Sequence, residues 1–75
     1  MQLSYWLSDP PINCDLCEKP ITNVFIDGLT VHGPWAIMCP RCHIIHGKGL
    51  GLNKGQQYQL QADGQWLKLI PQSII

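Results

Sequence analysis

Charge is scarce in this chain: of its 75 residues five are Lys or Arg and five are Asp or Glu, so the formal net charge is zero. That balance removes the whole-surface positive field on which most non-specific nucleic-acid binders depend, and partners must be argued from local patches. Serine is confined to Ser4, Ser8 and Ser73, and the few carboxylates are scattered among turns. No nucleophile therefore stands beside a plausible base, and enzyme chemistry is not expected. Long apolar runs are missing too. The longest beyond the N-terminal segment, Trp35 to Cys39, falls far short of the roughly 20 residues that cross a bilayer. Met1 to Pro11 holds no Lys or Arg, and its apolar residues are broken by Ser4, Ser8 and Asp9, so no leader peptide is read there. The expectation is a soluble, cytoplasmic protein without a membrane partner.

Size sets a further limit. A chain this short makes a single domain, spanning 1–75, and buries only about 60 to 65% of the surface its unfolded form exposes, so a bare apolar core leaves it marginal. A staple is expected, and the four cysteines supply it. Cys14 and Cys17 form one C-x2-C pair and Cys39 and Cys42 another, with residues 18 to 38 between them. In a reducing compartment such pairs are better explained as thiolate metal ligands than as disulfides. Two-residue spacing lets both sulfurs of a pair face one cation from a tight turn, and two pairs complete the tetrahedron that zinc accepts. One Zn2+ per chain, held by Cys14, Cys17, Cys39 and Cys42, is the leading reading. Other chemistries share parts of the pattern. Cys39-Pro40-Arg41-Cys42-His43 matches the haem-attachment string, Cys-Pro-Arg-Cys a dithiol redox motif, and all four thiols an iron or iron–sulfur site. A closed four-cysteine site leaves no open coordination position, which disfavours hydrolytic metal chemistry. His32, His43 and His46 are read as packing or surface residues, and the His-rich constellation of an HNH-type nuclease is not seen around His32.

Along the chain, Pro10-Pro11 and Pro20 bound the first knuckle. Val24-Phe25-Ile26 and Leu29-Thr30-Val31 flank Asp27-Gly28, predicting a first hairpin with Val24, Ile26, Leu29 and Val31 on one aliphatic face. Gly33-Pro34 turns the chain into Trp35-Ala36-Ile37-Met38, with Trp35 expected in the core. Pro40 suits a first helical position, giving a short helix that stops at Gly47. A second Asp-Gly, Asp63-Gly64, predicts a C-terminal hairpin over 57–70 with Leu60 opposite Leu67 and Tyr58 opposite Leu69. Trp66 then falls on a polar face with Gln59, Gln61 and Lys68. Pro71 ends that strand or marks it as an edge. The fold class expected from these pieces is a small, zinc-stabilised, β-rich α+β domain with two knuckles, two hairpins and one short helix, its zinc module spanning 12–58.

No Asp or Glu occurs between Gly28 and Ala62, whereas Arg41, Lys48 and Lys54 do, so the middle of the chain is locally basic. The glycines of the 47–55 loop suit positive φ, close packing, or phosphate contact through exposed N–H groups. Lys54-Gly55-Gln56 has the wrong order for a Walker loop. Trp66 beside glutamines suits protein contact or base stacking.

The strings Cys14-x2-Cys17-x2-Pro20-Ile21, Phe25-Ile26-Asp27-Gly28, Gly33-Pro34-Trp35-Ala36-x-Met38-Cys39-x2-Cys42 and Gly47-x-Gly49-Leu50-Gly51-x2-Lys54-Gly55-Gln56-x-Tyr58 together resemble a group of small phage and bacterial zinc-finger-like proteins. The match runs from residue 14 to residue 58; that group carries a small or hydroxyl residue before Asn53, where this chain has Leu52. The resemblance implies a treble-clef or zinc-ribbon-like fold around a four-cysteine zinc, a phage origin and residence in the bacterial host cytoplasm, and no particular activity. The functional expectation is a non-enzymatic zinc module that binds a host or phage protein through Arg41, Lys48, Lys54 and Trp66. A nucleic-acid-binding finger using the 47–55 loop is the alternative.

Overall fold

The strand Val24–Leu29 (β1) alternates Phe25 and Ile26 to opposite faces, and both are fully buried, so the sheet it belongs to is covered on both sides. In the computed structural model, which describes residues 3–70, β1 is followed by Trp35–Met38 (β2), the helix Pro40–His46 (α1), Gly55–Leu60 (β3) and Trp66–Ile70 (β4). All four strands join one antiparallel sheet in the order β2-β1-β3-β4. One face carries Cys14, Ile26, Met38 and Cys42, with Val24, Ala36, Cys39 and Leu50 packed against them. The other carries Phe25, Tyr58 and Trp66, with Trp6 and Ile37 around them. Phe25 stacks on Tyr58 at 5.1 Å between ring centroids, and Trp6 meets both edge-on.

The first hairpin is not where Asp27-Gly28 placed it. β1 runs straight through those residues, pairing Asp27 with Ile37 on one side and Gln56 on the other. Gly28 is there for proximity: it faces Gly55 across the β1–β3 ladder, and a Cβ at Gly28 would sit 3.1 Å from the Lys54 carbonyl oxygen and 3.2 Å from Gly55 Cα. The reversal comes at Thr30–Pro34, where Gly33 N–H donates to the Thr30 carbonyl and the Thr30 hydroxyl donates to the Pro34 carbonyl at 2.8 Å. Leu29 consequently lies on the face opposite Val24 and Ile26, and Val31 is exposed. Trp35, expected inside, is 47% exposed on the outermost strand.

The C-terminal hairpin forms over the expected residues, displaced by one in its pairing. Leu60 lies opposite Trp66, Gln59 opposite Leu67 and Tyr58 opposite Lys68. The loop is longer than two residues: Gly64 N–H closes onto the Gln61 carbonyl, Gly64 takes φ +89°, and Asp63 Oδ1 accepts from Gln65 N–H. A turn followed by a left-handed glycine is the usual three-residue connection. Because side chains alternate, that single step moves Trp66 from the polar face to the aromatic core, where it is 7% exposed. The expectation that Trp66 anchors a partner is therefore corrected. Pro71 and the tail lie outside the described residues.

Both outer strands are contacted along their free edges. Residues 4–6 run along β4, with Trp6 N–H donating to the Trp66 carbonyl, Lys68 N–H to the Ser4 carbonyl, and Tyr5 bridging Leu67. At the other edge Asp15 grips β2: its N–H donates to the Ile37 carbonyl at 2.8 Å and its Oδ2 accepts from Ile37 N–H at 2.8 Å. Among the described residues no helix is long and apolar enough to cross a membrane.

Candidate metal centre

The first knuckle is built by backbone closure. Cys14 N–H donates to the Lys19 carbonyl, Glu18 N–H to the Cys14 carbonyl and Ile21 N–H to the Ile12 carbonyl, with Asn13 bridging Pro20. Glu18 adopts φ 64°, a left-handed conformation costing a non-glycine residue roughly 1–2 kcal/mol. Asp15, between the two cysteines, fastens this knuckle to β2. The second pair stands where β2 gives way to α1. Cys39 caps the helix, its sulfur accepting from Cys42 N–H at 3.5 Å, and Pro40 begins it as the sequence predicts.

These two constructions bring the sulfurs of Cys14, Cys17, Cys39 and Cys42 within 4.8 Å of one another. Cys17 Sγ and Cys39 Sγ lie 3.8 Å apart. Four thiolates around a zinc ion with bonds of about 2.3 Å stand about 3.8 Å from each other, so that edge already has tetrahedral length. Backbone N–H groups point at the sulfurs: Leu16 and Cys39 donate to Cys14 Sγ at 3.4 and 3.3 Å. Such donors offset thiolate charge and orient the ligands. Cys14 and Cys42 are buried, Cys39 half-buried and Cys17 exposed.

The electrostatics of the metal-free thiols are divided. Burial works to raise the Cys14 thiol, but hydrogen bonds from the backbone of Cys17, Cys39 and Leu16 and from the Cys17 side chain outweigh it and bring it down to about 6. Burial pushes Cys42 up to about 12, reinforced by hydrogen bonding with Cys39, Cys14 and Cys17 and by the charge on Cys14. Negative charge settled on one sulfur thus keeps a proton on another. Only a cation at the centre lets all four ionise together.

The surroundings are mixed. Lys19, Pro20, Arg41, Ile45 and His46 line a pocket of about 470 Å³ beside Cys17, Cys39 and Cys42. Ile44 and Ile45 on the same helix are 83% and 58% exposed. Arg41, Lys48 and Lys54 are exposed, as surface contacts require, but only Arg41 borders this pocket. The glycine loop is closed on itself and on β1: the N–H groups of Lys48, Gly51, Lys54 and Gly55 donate to the carbonyls of Leu29, Gly55, Gly51 and Gly51 in turn. Those amides are turned inward, away from any phosphate. His43 Nε2 is hydrogen-bonded with the Gly49 carbonyl at 3.1 Å, fixing the loop to the helix.

Sequence reasoning missed two arrangements. Nothing in the neighbourhood of Asp15 signals its bond to Ile37, 22 residues away. His32 reads as a packing or surface residue, yet its Nε2 lies 3.2 Å from His46 Nδ1. The short helix starting at Pro40 locates His46, but Thr30 and Val31, read as strand, belong to the reversal at Thr30–Pro34 that brings His32 to the helix end. Comparison with protein-family models, curated proteins and solved structures finds no match to the chain. The likeness to the phage and bacterial group rests on its motif string alone.

Proposed function

We propose that this chain is a zinc-stabilised interaction module, without catalysis, whose metal fixes two cysteine knuckles and presents the α1 side of the molecule to a protein partner. The observation that carries the metal reading is the four sulfurs within 4.8 Å, donated to by backbone amides. Zinc is preferred because four thiolates in tetrahedral array suit it and because softness excludes the hard cations. The order of knuckle, hairpin and helix, with the second pair at the helix start, supports a treble-clef description. Native mass spectrometry of protein purified from a reducing cytosol tests this reading. One zinc mass per chain, and loss of the folded spectrum on chelation, is expected; a metal-free folded chain or two disulfides overturns it.

A protein partner is favoured by what flanks the metal: cationic Lys19 and Arg41 beside apolar Pro20 and Ile45, with Ile44 open to solvent. That surface suits a segment mixing carboxylates with aliphatic side chains. A host or phage protein is the expected source. Nucleic-acid binding would show a salt-sensitive interaction whose log–log slope falls by about one for each of Lys48 and Lys54 replaced by Ala. The expectation is no such binding at low salt, and a partner complex weakened by Arg41→Ala or Ile45→Ser but not by Lys54→Ala.

A further inference from the structure

We infer that His32 and His46 form a second divalent-cation site, separate from the cysteines and taking an imidazole-preferring transition ion such as Zn2+. His32 Nε2 and His46 Nδ1 stand 3.2 Å apart. Two imidazole nitrogens bound to one tetrahedral ion at about 2.0–2.1 Å are separated by about 3.3 Å, so the pair already has chelating spacing. The backbone holds it there from both flanks. Val31 N–H donates to the His46 carbonyl at 2.7 Å, and Thr30 bridges Gly47, so the two segments that carry the rings are pinned to each other beside them. His43 offers the contrast, its Nε2 being engaged with the Gly49 carbonyl.

The hydrogen bond between the two rings requires one nitrogen to carry a proton and the other a lone pair. When the ion binds, the donating ring moves its proton to its other nitrogen, both lone pairs face the cation, and no net proton is released from the neutral pair. No carboxylate or further histidine joins a ligand group here among the described residues, so the remaining positions fall to water or to a donor from another molecule. His46 also lines the pocket beside Cys17, Cys39 and Cys42, where a filled four-thiolate centre would carry net negative charge. Lys19 and Arg41 line the same pocket and offset part of that field, so the site rests on the spacing of its two nitrogens. The bound ion would tie the β1–β2 turn to the end of α1 while keeping open coordination positions.

The test is a titration of the zinc-loaded protein with Zn2+, followed by calorimetry and by the imidazole NMR signals. A second equivalent is expected that shifts His32 and His46 resonances and leaves those of His43 in place. His32→Ala and His46→Ala should each weaken that second equivalent by about tenfold or more, about 1.4 kcal/mol, with the first equivalent intact. His32→Gln, which keeps a polar side chain in an exposed turn, should weaken it similarly. Equal shifts at all three histidines, no second equivalent, or an unchanged affinity in His32→Ala overturns the inference. A missing first equivalent would instead strike at the cysteine site, so the two failures are distinguishable.

Discussion

Trp66 carries the largest single-residue consequence. Buried against Phe25 at 5.0 Å between ring centroids, it has no surface role to lose, and Trp66→Ala is expected to destabilise the fold by about 3–5 kcal/mol. Denaturant unfolding measures this; a loss under about 1 kcal/mol would contradict the core placement. Asp27 makes a different kind of prediction. Burial raises its carboxyl above the ordinary value, and the charge on Asp15 adds to the effect. The folded state therefore holds the proton more tightly than the unfolded one. Stability from that proton is present below the unfolded pKa and is lost as pH rises through the raised one. Asp27→Asn should accordingly stabilise at neutral pH and lose its advantage in acid, a difference visible in melting curves at the two pH values.

At the scale of elements, the helix and the cysteine knuckles were legible because their signals are local. Pro40 sets φ for a first turn, and C-x2-C fixes a loop without reference to the rest of the chain. The hairpins were legible as strands and illegible as pairings. Asp27-Gly28 and Asp63-Gly64 present the same dipeptide, yet one continues a strand because Gly28 must pass close to Gly55, and the other opens into a three-residue loop. Only the partner strand distinguishes the two, and no dipeptide encodes its partner. The exchange of roles between Trp35 and Trp66 follows from those pairings, not from any property of tryptophan. Asp15 is the element-scale contact most open to test. Asp15→Ala removes the acceptor of Ile37 N–H and should cost about 1 kcal/mol in thermal unfolding, with Asp15→Asn costing less because it keeps an oxygen there.

Across the whole molecule, β1 belongs to both clusters at once, Ile26 on the cysteine side and Phe25 on the aromatic side. Loss of metal should therefore not stop at one face. Tryptophan fluorescence, which reads the aromatic side, and circular dichroism are expected to change together as a chelator is added. A fluorescence signal that survives chelation would mean the faces are independent. Acid should act in the same direction, because protons compete with the metal for the thiolates. Metal loss on acidification thus has the opposite sign to the Asp27 contribution, so metal loss sets the acid limit of the fold and protonation of Asp27 only offsets part of it.

The bonds of residues 4–6 along β4 and of Asp15 along β2 have one more consequence, for the grammar of recognition. With β4 flanked and β2 held at Ile37, little edge is left for a borrowed strand, the mode in which main-chain bonds supply much of a peptide's affinity. Anything that binds here must be told apart by the shape and chemistry of its side chains, and a partner sequence should be intolerant of substitution to match.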